Sequence, residues 1–210
     1  MLVIKYSKTY PASYAGRTDT LRTIGRIFRR AGCNVEYSKG FNPHMELYFS
    51  PALPVGVDSC AEYLAVKMPM EDNLLQRLNS VSPKGITFLE VVEQQVNVSA
   101  VVTSAQYEVS CLGIGQVAQQ LLSKPCVITY DEKGVLVTKD VSDKIYDVKV
   151  VSNDKFTVKL ACGNNNLRCD RVVNHLRMVS DNCNDYKIVK LTTYVGDLPM
   201  DSYLQTQQAN

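Results

Sequence analysis

The chain has 210 residues, 23 of them basic and 21 acidic, for a formal net charge of +2. At ~100–200 residues per domain it is one medium domain or two small ones. With 45% hydrophobic and 21% charged residues it has an ordinary soluble composition, and no apolar run approaches the ~18–20 residues of a membrane helix. The opening MLVIKYSKTY lacks a basic stretch, an apolar core and a small-residue cleavage site. It is read as a first strand rather than a signal peptide.

The cysteines at 33, 60, 111, 126, 162, 169 and 183 are odd in number and scattered. That predicts reduced thiols in a cytoplasm rather than a disulfide framework. Six residues separate the closest pair, Cys162 and Cys169, and no Cys-x-x-Cys occurs. Structural zinc and iron–sulfur sites usually present two thiolates from one short turn, so the expectation is no metal and no cofactor. The phosphate-loop, dinucleotide, His-Glu-x-x-His and Gly-x-Ser-x-Gly motifs are also absent.

In chain order, LVIKYS at 2–7 reads as a strand with one buried face. A helix follows over roughly 18–31, where Leu21, Ile24, Phe28 and Ala31 form one stripe. Thr18 or Asp19 is expected to cap its start and Gly32 to stop it. After a Gly/Pro/Asn-rich loop at 38–44, MELYFS and AEYLAVKM read as strands. A helix over 71–79, with Leu74, Leu75 and Leu78 on one face, precedes a strand in GITFLEVVEQQVNV.

That β-α-β-β-α-β order is the signature of a ferredoxin-like unit, and the second half repeats it. AQYEVSC is a strand and GIGQVAQQLL a helix. CVITY, GVLVTK, IYDVKVV and FTVKLAC are more strands than a minimal unit requires. A helix bearing Cys169, Val172, Val173 and Leu176, then YKIVKLTTYV, completes the order. The expected fold class is α+β, two tandem ferredoxin-like (βαββαβ) units. The first covers 1–98, the second 104–198, and 199–210 is a frayed tail.

Charge is unevenly spread. Residues 1–50 hold eight basic and three acidic side chains, an excess of +5, which leaves −3 for the rest. Arg22, Arg26 and Arg29, at i, i+4 and i+7, share a helix face away from the apolar stripe. One reading is a solvated surface matched to the helix dipole; the other is an anion-binding face suited to phosphates. Six of the twelve tyrosines (6, 10, 14, 37, 48 and 63) lie in the first 63 residues. Rings beside arginines suit single-stranded RNA, although tyrosines in strands often pack inward instead.

The most distinctive stretch is YSKGFNPH, residues 37–44, followed by MELYFSPALPVGVDSCAEYL. Gly40 and Asn42–Pro43 shape a turn, Phe41 is expected to anchor it in the core, and Lys39, Asn42 and His44 are displayed. This stretch resembles the radical S-adenosylmethionine-linked protein family, a domain of unknown function found beside or fused to radical S-adenosylmethionine enzymes. The likeness runs through RRAG at 29–32, YSKGFNPH and PALPVGVDSCAEYL at 51–64. It continues more weakly through KDVSDKIYDVKVV and NNNLRCDRVV. Where the family commonly reads Ser-His-Leu-Asp, this chain has Gly16-Arg17-Thr18-Asp19, so no role for a histidine transfers there. Arg168-Cys169 stands where the family often has a helix-starting proline.

The resemblance implies a bacterial cytoplasmic partner of a radical enzyme, with a link to RNA or ribosome metabolism. Three functions follow. The first is a non-catalytic RNA-binding or substrate-presenting module using Arg17, Arg22, Arg26, Arg29, Lys39, Asn42 and His44. The second is a protein-interaction subunit without RNA binding, docking through LPVGV and the sheet surface. The third is a metal-independent RNA nuclease built like the CRISPR RAMP-type endonucleases, with His44 as general base. The glycine-rich loop near the C-terminus of those nucleases is absent here. No catalytic residue is otherwise assigned, the chain alone is expected to have no activity, and no membrane is expected as partner.

Overall fold

The computed structural model describes residues 1–180 and 183–206. It is a mixed α+β architecture, and the chain divides into two compact units. One is Met1–Val102 together with the segment from Asp197; the other is Thr103–Gly196.

In the first unit the order is β1 (Leu2–Lys8), α1 (Arg17–Arg30), β2 (Leu47–Phe49), β3 (Asp58–Val66), α2 (Leu74–Ser80), β4 (Ile86–Glu93) and a short α3 (Val98–Val101). Its strands lie in the order β4-β1-β3-β2, every neighbour antiparallel, with Ile4 opposite both Leu64 and Val91. Alternation along β1 sends Leu2, Ile4 and Tyr6 into the core, where Ile24 and Phe28 of α1 and Leu74 and Leu78 of α2 meet them. Phe28 is fully buried and stands edge-on to Phe88 with ring centroids 6.0 Å apart. That burial contributes roughly 2–3 kcal/mol.

The termini of α1 decide its aim. The N-cap lies two residues ahead of Thr18, the nearer expected cap: it is Gly16, and the Thr20 hydroxyl donates to its carbonyl at 2.9 Å. Neither Thr18 nor Asp19 caps, because both already lie inside the first turn. At the other end Gly32 takes φ +65°, Gly32 N–H donates to Arg29 O and Cys33 N–H to Phe28 O. This double closure needs the left-handed residue that glycine supplies most cheaply. Arg77 of α2 reinforces it, with Nε and Nη2 donating to Ala31 O at 3.2 and 2.7 Å and Nη1 held by Glu71 at 2.6 Å.

The second unit runs β5 (Ser104–Ser110), α4 (Ile114–Ala118), β6 (Val127–Glu132), β7 (Val135–Asp140), β8 (Ile145–Ser152), β9 (Lys155–Ala161), α5 (Cys169–Met178) and β10 (Lys187–Val195). Its sheet order is β10-β5-β9-β8, again antiparallel throughout. A 3-10 turn over Gln119–Leu122 continues α4. The surplus strands β6 and β7 form a separate hairpin whose two-residue loop, Lys133-Gly134, has φ of 57° and 85°, as a tight primed turn requires. Helix α5 holds that hairpin. Arg171 lies 4.1 Å over the Tyr130 ring and 3.0 Å from Glu132, and Thr129 N–H donates to His175 Nδ1 at 3.1 Å.

Two expectations need correction. The tail is helical over α6 (Met200–Thr206), with Met200 and Leu204 buried in the first unit. Asp201 pins it there, accepting from Tyr63 at 2.6 Å and pairing with Lys5 at 2.5 Å. Residues 207–210 lie outside the described residues. Cys111 and Cys183, 72 positions apart in sequence, are joined as a disulfide, so the thiols are not all reduced. Of the rest, Cys126 and Cys169 are buried, and burial pushes both thiols up.

Candidate functional site

Helix α1 is two-sided. Ile24, Ile27 and Phe28 are buried, while Arg22, Arg26 and Arg29 are exposed on the opposite side. Beside that exposed face runs the 37–45 segment. It is closed at its base by a bridge between Tyr37 and Met45 and by Ser38 N–H donating to His44 O at 2.9 Å. The Ser38 hydroxyl accepts from the His44 N–H at 3.1 Å and lies 2.8 Å from His44 Nδ1. These bonds fix the imidazole relative to the loop base.

Helix and loop together enclose an open groove of about 460 Å³, within the ~300–1,000 Å³ range of ligand sites. Arg22, Arg26, Arg29 and His44 form its polar part. Leu21, Met45, Leu47 and Phe49 form an apolar part, and Gly25 contributes bare backbone. Among the described residues, the basic row makes one ion pair, between Arg22 and Asp19 at 3.9 Å, exposed on both sides. Such a pair adds little, so the row keeps its positive potential. A groove of this composition can hold anions at its rim and a flat or apolar group on its floor.

The other expected site residues lie elsewhere. Arg17 faces a separate cavity of about 20 Å³, and its Nη1 donates to Ser50 O at 3.1 Å. Tyr6, Lys8, Ser50 and Glu62 also line that cavity, which has room for about one water and not for a substrate. Lys8 is buried and donates to Ala15 O at 2.7 Å, and burial lowers its affinity for a proton. Burial, then the Glu62 charge, pushes the Tyr6 phenol up. This polar cluster fixes the entry to α1. Lys39 and Asn42 are exposed on the 37–45 segment but do not line the groove. Phe41 is not a core anchor: it stands fully exposed at the tip, because the turn is closed by Ser38 and His44 rather than by an aromatic plug.

The floor residues and Gly25 had no signal in the sequence as site residues. Leu21 belongs by spacing to the core stripe and Met45, Leu47 and Phe49 to a strand, and only the strand-to-helix geometry brings them to one groove. Among the described residues no cluster of three or more His, Cys, Asp or Glu could hold a metal ion. No helix described is long and apolar enough to cross a membrane.

The chain is thus an α+β protein with a cationic, part-apolar groove beside its first helix. The profile of the family described as "Uncharacterized protein conserved in bacteria (DUF2344)" matches residues 1–173. The chain belongs to that family. No curated protein matches it.

Proposed function

We propose that the chain binds single-stranded RNA in the groove between α1 and β2. The observation that carries this reading is the convergence of Arg22, Arg26, Arg29 and His44 around an apolar floor. Phosphates need cations, and unstacked bases need flat apolar surface; the groove offers both. The likeness in GFNPH and LPVGV adds a cytoplasmic radical S-adenosylmethionine enzyme as the partner to which the strand is presented. The strand order common to both units, with a hairpin inserted in the second, supports reading each as ferredoxin-like, a scaffold that leaves its helix faces available to ligands.

Salt-dependent binding to a single-stranded RNA tests the proposal. Each phosphate contact to a single strand contributes about −0.7 to the slope of log affinity against log salt. Changing Arg22, Arg26 and Arg29 together to alanine should flatten that slope by roughly 2. Their exposed positions mean that the melting temperature should hardly move. An unchanged slope in a folded variant would reduce the row to a solvated surface.

Exposed Phe41 and Val55 favour a second reading, a protein-docking subunit without RNA. A nuclease has less support. Besides His44, no described residue lining the groove can act as general acid or base.

A further inference from the structure

We propose that the groove seats one unstacked base flat against the backbone of α1 at Gly25, its flanking phosphates on Arg22, Arg26 and Arg29. This deepens the RNA reading and rests on it.

Gly25 lies in the interior of α1, where glycine costs about 0.5–1 kcal/mol relative to alanine. Inside the protein nothing requires that cost. Apart from the adjoining backbone of α1 itself, a Cβ built at Gly25 meets no heavy atom within 4 Å. The contrast with Gly85 and Gly115 is sharp: a Cβ at those positions would run into the backbone oxygens of Thr9 and Ser152. Close packing explains those two glycines and leaves Gly25 unexplained by the fold.

Its position supplies the explanation. Gly25 lies three residues after Arg22, next to Arg26 and four before Arg29, and it lines the same groove as the apolar Leu21, Met45, Leu47 and Phe49. A bare peptide surface flanked by apolar side chains accepts a planar ring in van der Waals contact. Any side chain there would lift the ring away. The cations stand around this seat where the anionic groups on either side of a base would fall. An acyl chain would fit less well, since the groove is open to water along its length. A peptide carries anions only where its sequence places acidic side chains, whereas every linkage of a nucleic acid supplies one to the arginine row.

The test compares wild type, Gly25→Ala, Gly25→Gln and the triple arginine variant against two probes. One is a fluorescent single-stranded RNA of mixed sequence; the other is inorganic polyphosphate, a polyanion without bases. Gly25→Ala should raise the thermal midpoint, because nothing clashes with the methyl, yet weaken RNA binding roughly tenfold. Gly25→Gln should weaken it further. Polyphosphate binding and the salt slope should not change in either glycine variant, whereas the triple arginine variant should bind both probes more weakly and with a flatter salt slope.

Equal RNA affinity in wild type and Gly25→Ala would overturn the base seat while leaving the RNA reading standing. Glycine variants that weaken both probes equally would overturn it too, showing a blocked groove rather than a lost stack. A wild type that binds polyphosphate but no RNA would overturn both readings.

Discussion

The two units arrange their strands alike, yet their first helices differ in every property that bears on function. Helix α1 has 14 residues and five arginines, three of them in a row on its exposed side. Its counterpart α4 has five residues, continues as a 3-10 turn, and carries no charge from Ile114 to Leu122. An open concavity of about 580 Å³ does occur in the second unit, lined by Arg177. That guanidinium already donates to Cys183 O at 2.8 Å and Asn184 O at 3.0 Å. The comparison teaches that strand order alone does not make a site. What differs is whether a helix has residues left over after its core face and caps are satisfied, and α1 has a whole row.

The largest effects should come from the face of α1 that is not free. Phe28→Ala should lower stability by about 3–5 kcal/mol in urea unfolding, since the ring is buried against Phe88. A small loss would mean that α1 is only loosely docked and the groove ill-defined. Next is Arg77→Ala, which strips the extra cap from the end of α1. Its side chain is about one-third exposed, so the loss of its charged hydrogen bonds should cost about 1–2 kcal/mol. A graft then breaks the comparison directly. Introducing Gln116→Arg, Gln119→Arg and Gln120→Arg into the triple arginine variant restores the number of cations on a helix of the same rank. RNA affinity should still stay roughly tenfold below wild type, because no apolar floor comes with the charges. Full recovery in a filter-binding titration would show that charge alone was read.

Local periodicity made most of the elements legible. Leu21, Ile24 and Phe28 announced α1, Gly32 announced its end, and partial alternation marked β1, because each of these signals sits within one element. Long-range closures were invisible. Asp201 meets Tyr63 and Lys5 from 138 and 196 residues away, so the last segment read as a frayed polar tail. Arg77 caps a helix 46 positions upstream, and the Cys111–Cys183 link spans 72. At the site, the arginine row was legible because i, i+4 and i+7 is a local pattern, and His44 stood out by rarity. Arg17 misled because adjacency in sequence placed it with the row, while its position in the first turn of α1 turns it to Ser50. Phe41 misled because an aromatic in a turn usually plugs a core, and here hydrogen bonds do that work.

The smallest expected effect separates the two histidines, one at the groove of the first unit and one inside the second. His175 is partly buried, and that burial lowers its proton affinity below the ordinary value of 6.5. Its Nδ1 accepts the Thr129 N–H, which requires that nitrogen to be unprotonated. The unfolded chain therefore takes up a proton first as pH falls through about 6.5, and the folded state gains one only at lower pH. In that window the unfolded state binds more protons, so stability falls with falling pH, and the loss levels off once the folded value is passed. Above pH 7 the residue is neutral in both states and contributes no slope. His175→Asn sets an amide oxygen where Nδ1 stands, so it keeps an acceptor for Thr129 and removes the titration. The variant should thus melt close to wild type at pH 7.5 and lose less of its melting temperature between pH 7 and pH 5. If wild type and variant fall in parallel across that range, His175 does not hold the hairpin through its neutral form, and the attachment of β6 to α5 rests on Arg171 instead.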